Sequence, residues 1–317
     1  MYYLGIDTSC YTTSIALIDE DDNLIADERI MLKVKKDERG IRQSEAFYQH
    51  IENMPVLLEK LYDTIPPDKI KAIGVSSKPR NNPDSYMPVF NSGLHIGNVV
   101  RMSLRIPMFL LSHQENHIMA GLWSTKHTLS KPIAAYHISG GTTELLYITE
   151  NDDLNIEVIG GSSDLKAGQF IDRVGVSMGL NFPCGREMDR LSQSVRATDI
   201  DIPSSIRESY TSFSGPETYA QKLIKTGKYD KAQLSKAVFL CIAKSIEETL
   251  INSKDKYRWE EVLFIGGVSS NSTINEYLSG SEKIKKNNIK LVFSDGRYAV
   301  DNALGGAIYA KKRCRRC

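Results

Sequence analysis

The chain runs through one order of elements twice. Each half opens with three consecutive strand-like runs and then alternates helical with strand patterns. In the first half the runs are residues 2–7 (YYLGID), 13–19 (TSIALID) and 23–29 (NLIADER), with Asp19 to Asn23 as the polar turn between the second and third. In the second they are 132–141 (PIAAYHISGG), then TTELLYIT and NIEVIGG. Behind the first triplet the periodicity predicts a helix over 44–63 with Pro55 as a local irregularity, a buried strand near 69–77 and a helix near 93–104. On that last helix Gly93 and Gly97 share a face where another backbone can come close. A short strand (PMFLLS) and a helix through SHQENH follow. Behind the second triplet come helices at AGQFIDRVGVSMG and EMDRLSQS, and a long amphipathic helix over 231–252. EVLFIGGVSSN reads as strand, glycine turn and helix start, KLVFSD as a strand, and YAVDNALGGAIYAKKR as a closing helix. The duplication is one of pattern, not of identity. It restricts the fold to α/β, with helices flanking a mixed sheet in each half. The expected halves are 1–125 and 126–317, with the ligand site in the cleft between them.

A chain of 317 residues, 41% hydrophobic and 25% charged, is an ordinary globular protein able to bury a sizeable core. The net charge of +1 excludes a whole-molecule field that gathers nucleic acid and leaves only a local basic patch for that role. Five scattered cysteines (Cys10, Cys184, Cys241, Cys314, Cys317) fit a reducing compartment. MYYLGIDTS passes straight into a strand pattern without a signal peptide, and no apolar stretch is long enough to span a bilayer. The expectation is a cytoplasmic protein without a membrane partner.

Within SHQENHIMAGLW, His113 and His117 stand four apart, on one face of a helix and one turn from each other. Two imidazoles so placed can grip one metal ion. Histidines on helices also commonly find only a local partner, so the spacing alone leaves both readings open. The metalloprotease pattern H-E-x-x-H is absent: Gln114 follows the first histidine, and Glu115 points off the histidine face. Asp301 lies at the head of the closing helix, either as a capping carboxylate or as an oxygen ligand completing a His-His-Asp set suited to zinc or iron.

Asp7-Thr8-Ser9 and Ser139-Gly140-Gly141-Thr142-Thr143 are small-residue turns after strands, able to cradle phosphates or to be plain turns. Gly266-Gly267-Val268-Ser269-Ser270-Asn271 has the same two readings, Asn271 being able to meet a base edge. Cys314 and Cys317 form a single CxxC without the second pair a zinc ribbon needs, in what reads as a frayed basic tail.

In order along nearly the whole chain, these segments resemble the TsaD family of the actin-like ATPase superfamily. LGIDTSCYTTSIALI is similar to the family's LGIETSCDETxxAI, HQENH to H-x-E-G-H, SGGTTEL to SGGHTxL and AGQFIDR to AGEAFDK. FPCGREMDRL resembles YPGGPxxDRL, SFSGPET resembles SFSGLKT, GGVSSNSTINE resembles GGVAANxxLRE and AVDNALGGA resembles CTDNAAMIA. The resemblance implies two actin-like (ribonuclease H-like) halves. It also implies transfer of a threonylcarbamoyl group from threonylcarbamoyl-AMP to N6 of the adenosine next to the anticodon in ANN-decoding tRNAs. Partners would be tRNA and either TsaB-like and TsaE-like proteins or a second copy; ligands would be one divalent metal ion, iron or zinc, and ATP or threonylcarbamoyl-AMP. By motif position His113, His117 and Asp301 would hold the metal. His137, Ile138, Ser139, Gly140 and Gly141 would bind the phosphate and carbamoyl end, with Thr8, Ser9 and Gly267 beside the nucleotide. Asp172, Gly185 and Asp189 would meet the ribose, and Asn271 the adenine.

The chain departs from the family at several polar positions. Tyr11 and Thr12 replace an acidic pair, Thr142 a histidine, Gln169 a glutamate and Cys184 a glycine; Pro216-Glu217 stands for Leu-Lys, and Lys78 to Pro83 for a Gly-Pro-Gly loop. Two alternatives therefore stand beside the tRNA transferase. One is a divergent paralogue that binds ATP or a carbamoyl-adenylate but serves another acceptor. The other is a non-catalytic partner of the modifying complex, which would have no need of the metal triad.

Overall fold

The computed structural model describes residues 1–9, 11–34, 41–151 and 153–315. Cys10 and Cys317 lie outside them. The chain forms two compact units, Met1–Lys126 with Val300–Cys317, and His127–Ala299.

The first unit is built on strands β1 (Tyr2–Asp7), β2 (Thr12–Asp19), β3 (Leu24–Met31), β4 (Ile70–Lys78) and β5 (Met108–Ser112), in the order β3-β2-β1-β4-β5. The first three pair antiparallel, whereas β1–β4 and β4–β5 are parallel. Helices α1 (Gln43–Thr64), α2 (Phe90–Leu104) and α3 (His113–Ser124) belong to it. Ala46, His50, Met54, Leu57 and Leu61 form the buried stripe of α1, at the spacing a helix needs to lay one face on a sheet. Pro55 sits on the exposed side, where its missing N–H costs least.

The second unit contains β6 (Ile133–Ile138), β7 (Thr143–Glu150), β8 (Leu154–Ser162), β9 (Ser205–Arg207), β10 (Tyr210–Ser212), β11 (Glu261–Ile265) and β12 (Lys290–Phe293). Their order is β12-β11-β6-β7-β8-β10-β9. Read from β8 to β12, this is the first sheet again: three antiparallel strands, then two parallel ones beside the first of the three. The duplicated pattern is therefore a duplicated topology, with the β9–β10 hairpin added at one edge. The helices are α4 (Ala167–Ser177), α5 (Gly185–Gln193), α6 (Ser214–Thr226), α7 (Lys231–Tyr257), α8 (Ser272–Gly280), α9 (Glu282–Lys286) and α10 (Gly296–Ala299). Among the described residues no helix is long and apolar enough to cross a membrane.

The last helix, α11 (Leu304–Cys314), corrects three expectations. It belongs with the first unit, not with residues 126–299. It begins at Leu304, so Asp301 lies before it and caps nothing; Asn302 Oδ1 accepts the Leu304 N–H instead. Nor do residues 311–314 fray: α11 reaches Cys314, and Lys311 is buried with its ammonium 2.6 Å from Asp22. Glycines explain its docking. A Cβ on Gly5 of β1 would lie 1.9 Å from the Ala303 carbonyl oxygen, and one on Gly74 of β4 would lie 2.0 Å from that of Gly306. Backbone thus rests directly on backbone. Gly93 and Gly97 of α2 behave otherwise, meeting the Thr8 and Val75 side chains and not another main chain.

Cys184, where the family motif has glycine, is accommodated the same way. It is fully buried, and a Cβ on Gly175 of α4 would lie 2.6 Å from its sulfur. Gly175→Ala is expected to destabilise the fold by about 1–3 kcal/mol through overpacking. The double variant with Cys184→Gly should recover most of that loss in urea unfolding.

Candidate metal centre

Helix α3 begins at His113 because a capping box stops it there. Ser112 Oγ accepts the Glu115 N–H at 3.2 Å, while Glu115 Oε2 accepts the Ser112 N–H at 2.7 Å. That S-x-x-E signal was legible in the sequence and gives buried Glu115 a structural task. It leaves His113 in the first helical position and His117 one turn on, with their Nε2 atoms 3.0 Å apart. Asp301 Oδ1 lies 3.6 Å from the first and 3.4 Å from the second. The corners of this triangle all lie about 2 Å from a common point, which is the length of a bond from zinc to imidazole or carboxylate. Two nitrogens and one oxygen, leaving positions open, suit zinc or iron(II). The residues present therefore fit a divalent ion.

Behind His113 stands a residue not singled out from the sequence as part of the metal site. The Asp7 carboxylate, at the end of β1 and 1% exposed, accepts from His113 Nδ1 at 2.9 Å. This bond fixes the tautomer that offers Nε2 to a metal. Nothing local in the sequence marks Asp7 for this task, since the two residues stand 106 apart. Burial by itself would raise Asp7, but the His113 charge and hydrogen bonds from His113, Ser76 and Ser9 hold it well below the ordinary carboxylate range. Burial would lower His113, and the Asp7 carboxylate more than offsets it, pushing the ring up to about 9. Burial and the neighbouring His113 charge lower His117. A protonated His113 donates from both nitrogens, to Asp7 and to His117, and its Nε2 proton then stands where a metal would bind.

The remaining sequence candidates fall into separate surroundings. Thr8 and Ser9 are buried in the first unit with their hydroxyls engaged internally: Thr8 Oγ1 accepts the Gly93 N–H at 3.1 Å, and Ser9 Oγ donates to Asp7. In the second unit, His137 and Ile138 end β6 and are buried, while Gly140 and Gly141 have open space beside them. Ser139 closes this turn on itself, its hydroxyl accepting the Gly141 and Thr142 N–H groups at 3.3 and 3.1 Å. Gly266, at φ +92°, packs against the Ile138 carbonyl, bringing the Gly267–Ser270 turn to the end of β6. Asp172 accepts the Cys184 N–H at 2.8 Å, next to Gly185 at the start of α5. Asp189 accepts from the Ser272 N–H and hydroxyl, which ties α5 to the head of α8. Asn271 caps α8, its Oδ1 accepting the Ile274 N–H at 2.9 Å.

Two mixed sheets of one topology, each flanked by helices, make this an actin-like ATPase fold. Solved structures with it include full-length HypF in the phosphate- and nucleotide-bound form (TM-score 0.62, 12% identity, 97% of this chain and 46% of that one). A second is the ROK family glucokinase from Streptomyces griseus (TM-score 0.55, 10% identity, 98% and 100%).

Within that class, the chain belongs to the TsaD family, described as tRNA N6-adenosine threonylcarbamoyltransferase, whose model matches residues 23–307. Relatives of that name include those of Thermosipho africanus, 27% identical over 96% of this chain and 91% of the relative, and of Mycoplasmopsis synoviae, 26% identical over 100% and 99%.

Proposed function

We propose that this chain transfers a threonylcarbamoyl group from threonylcarbamoyl-AMP to N6 of the adenosine next to the anticodon in ANN-decoding tRNAs. Membership of the family supports the class of reaction. The observation that carries it to this chain is the His113–His117–Asp301 triangle with Asp7 behind it. These three residues would hold one divalent ion, zinc or iron, which when bound supplies positive charge to neutralise phosphate oxygens and orient the anhydride.

His137 to Gly141 would receive the phosphate and carbamoyl end through the open glycine turn. Asp172, Gly185 and Asp189 would meet the ribose, and Asn271 the adenine. The N6 amine attacks the carbamoyl carbon, the bond from that carbon to the phosphate oxygen breaks, AMP departs and the nitrogen gives up a proton. With so good a leaving group the protein acts chiefly by positioning the two reactants. The tRNA, TsaB-like and TsaE-like proteins or a second copy are the partners this reading requires.

A second reading, another acceptor for the same adenylate, draws on Tyr11, Thr12 and Thr142. Tyr11 is exposed where the family has a carboxylate able to assist acid–base chemistry. The test is direct transfer. The protein is incubated with threonylcarbamoyl-AMP, unmodified ANN-decoding tRNA and the partner proteins, and the digested nucleosides are analysed by mass spectrometry. Threonylcarbamoyladenosine that disappears with His113→Ala is the expected result. No product from protein that still binds adenylate and metal would overturn the tRNA reading in favour of another acceptor.

A further inference from the structure

We infer that Asn116 is a positioning residue of the metal centre, its carboxamide joining the histidine helix, the Asp7 carboxylate and the Asp301 segment. The inference rests on the metal reading above. Asn116 lies on α3 between the two histidines and is fully buried. Its Nδ2 donates to the Asn302 carbonyl oxygen at 2.5 Å and to Asp7 Oδ2 at 3.4 Å. Its Oδ1 accepts the Gly306 N–H at 2.8 Å. Each end of the amide faces partners of the opposite kind. A flipped amide would set NH2 against N–H and oxygen against two acceptors, so only this orientation is satisfied.

The partners are what give the amide its significance. Asp7 Oδ2 is the same oxygen that accepts from His113 Nδ1. Asn302 directly follows Asp301, and Gly306 lies in the first turn of α11. One side chain thus reaches the group that orients the first ligand and two positions just beyond Asp301, the third. Close approach permits this: a Cβ on Gly305 would lie 2.0 Å from the Asn116 carbonyl oxygen, so the head of α11 closes on α3 only with glycine there. The family motif H-x-E-G-H has glycine where this chain has Asn116, so the link belongs to this chain's own solution. Asp301 has no helix of its own to hold it, and a ligand on such a segment is only as well placed as its supports.

The test measures metal binding and not turnover. Zn(II) and Co(II) are titrated against a chromophoric chelator with the full chain, and the Co(II) visible spectrum is recorded while circular dichroism verifies folding. Asn116→Asp keeps the shape but sets an acceptor against the Asn302 carbonyl and the Asp7 carboxylate. It is expected to lower affinity about 10–100-fold, as losing an outer partner of a ligand does, and to change the Co(II) spectrum. Asn116→Ala removes the links without adding a charge and should weaken binding in the same direction, which keeps the test open if Asn116→Asp does not fold. Gly175→Ala, in the other unit, lowers stability without touching these contacts and should leave both readouts unchanged. Wild-type binding with unchanged affinity and spectrum in a folded Asn116 variant overturns the inference and leaves the metal reading standing. A wild-type chain that binds neither ion overturns the metal reading and this inference with it.

Discussion

Alanine at His113 or His117 is expected to cost more metal affinity than the roughly 100-fold lost with an outer-shell partner, because each change removes one of three donors. The fold should survive. His113 is only partly buried and its ring lies at the head of a helix whose capping box is independent of it. The loss should therefore appear as an empty centre in folded protein, measured by elemental analysis after gel filtration and by chelator competition. The pH dependence has a definite sign. Without metal, His113 holds its proton up to about 9, and that proton stands between the Nε2 atoms. Metal uptake near neutral pH must release it, so apparent affinity should rise about tenfold per pH unit from pH 7 and level off above pH 9. Calorimetry in two buffers of different ionisation enthalpy would count the proton. Affinity independent of pH over this window would contradict the arrangement of Asp7, His113 and His117 described here.

Gly74→Ala is expected to be among the most destabilising single changes in the chain, by about 3 kcal/mol or more, at the upper end of overpacking. The new methyl would lie 2.0 Å from the Gly306 carbonyl oxygen, and main chain has no rotamer by which to escape. Against a typical total of about 5–15 kcal/mol this is a large share. The effect should also reach the metal centre. If α11 shifts off the sheet, Asp301 just before it shifts too, so residual folded protein should bind Zn(II) more weakly. Gly280→Ala provides the comparison, since a Cβ there meets nothing within 4 Å. Urea unfolding of the two variants separates a packing clash from the general effect of replacing glycine. Equal midpoints would show that α11 is not seated as described.

Much of the fold was legible because local periodicity records it. The apolar stripe of α1 and the buried runs of β1, β4 and β11 announce their element types within a few residues. The i, i+4 spacing of His113 and His117 likewise places both rings on one face before any fold is known. Short elements were less visible. The three-residue strands β9 and β10 are too short to carry a period, and the thirteen-residue helix α6 was missed for a different reason. The α6 head is satisfied from a distance, by Asp164 accepting the Phe213 and Ser214 N–H groups, so its start has no local capping residue to read.

The sequence by itself determined the α/β class, the doubled order of elements, the paired histidines and the family. Those properties are written in spacings of two to four residues and in short motifs, which survive in any local stretch of chain. Only the tertiary structure decided which carboxylate orients His113, where α11 docks and how Asp301 joins the histidines. Each depends on contacts between residues far apart in the chain, 106 for Asp7 with His113 and 186 for Asn116 with Asn302. Such contacts exist only once β1, β4 and α11 have packed backbone to backbone, and no local pattern encodes which distant surfaces will meet.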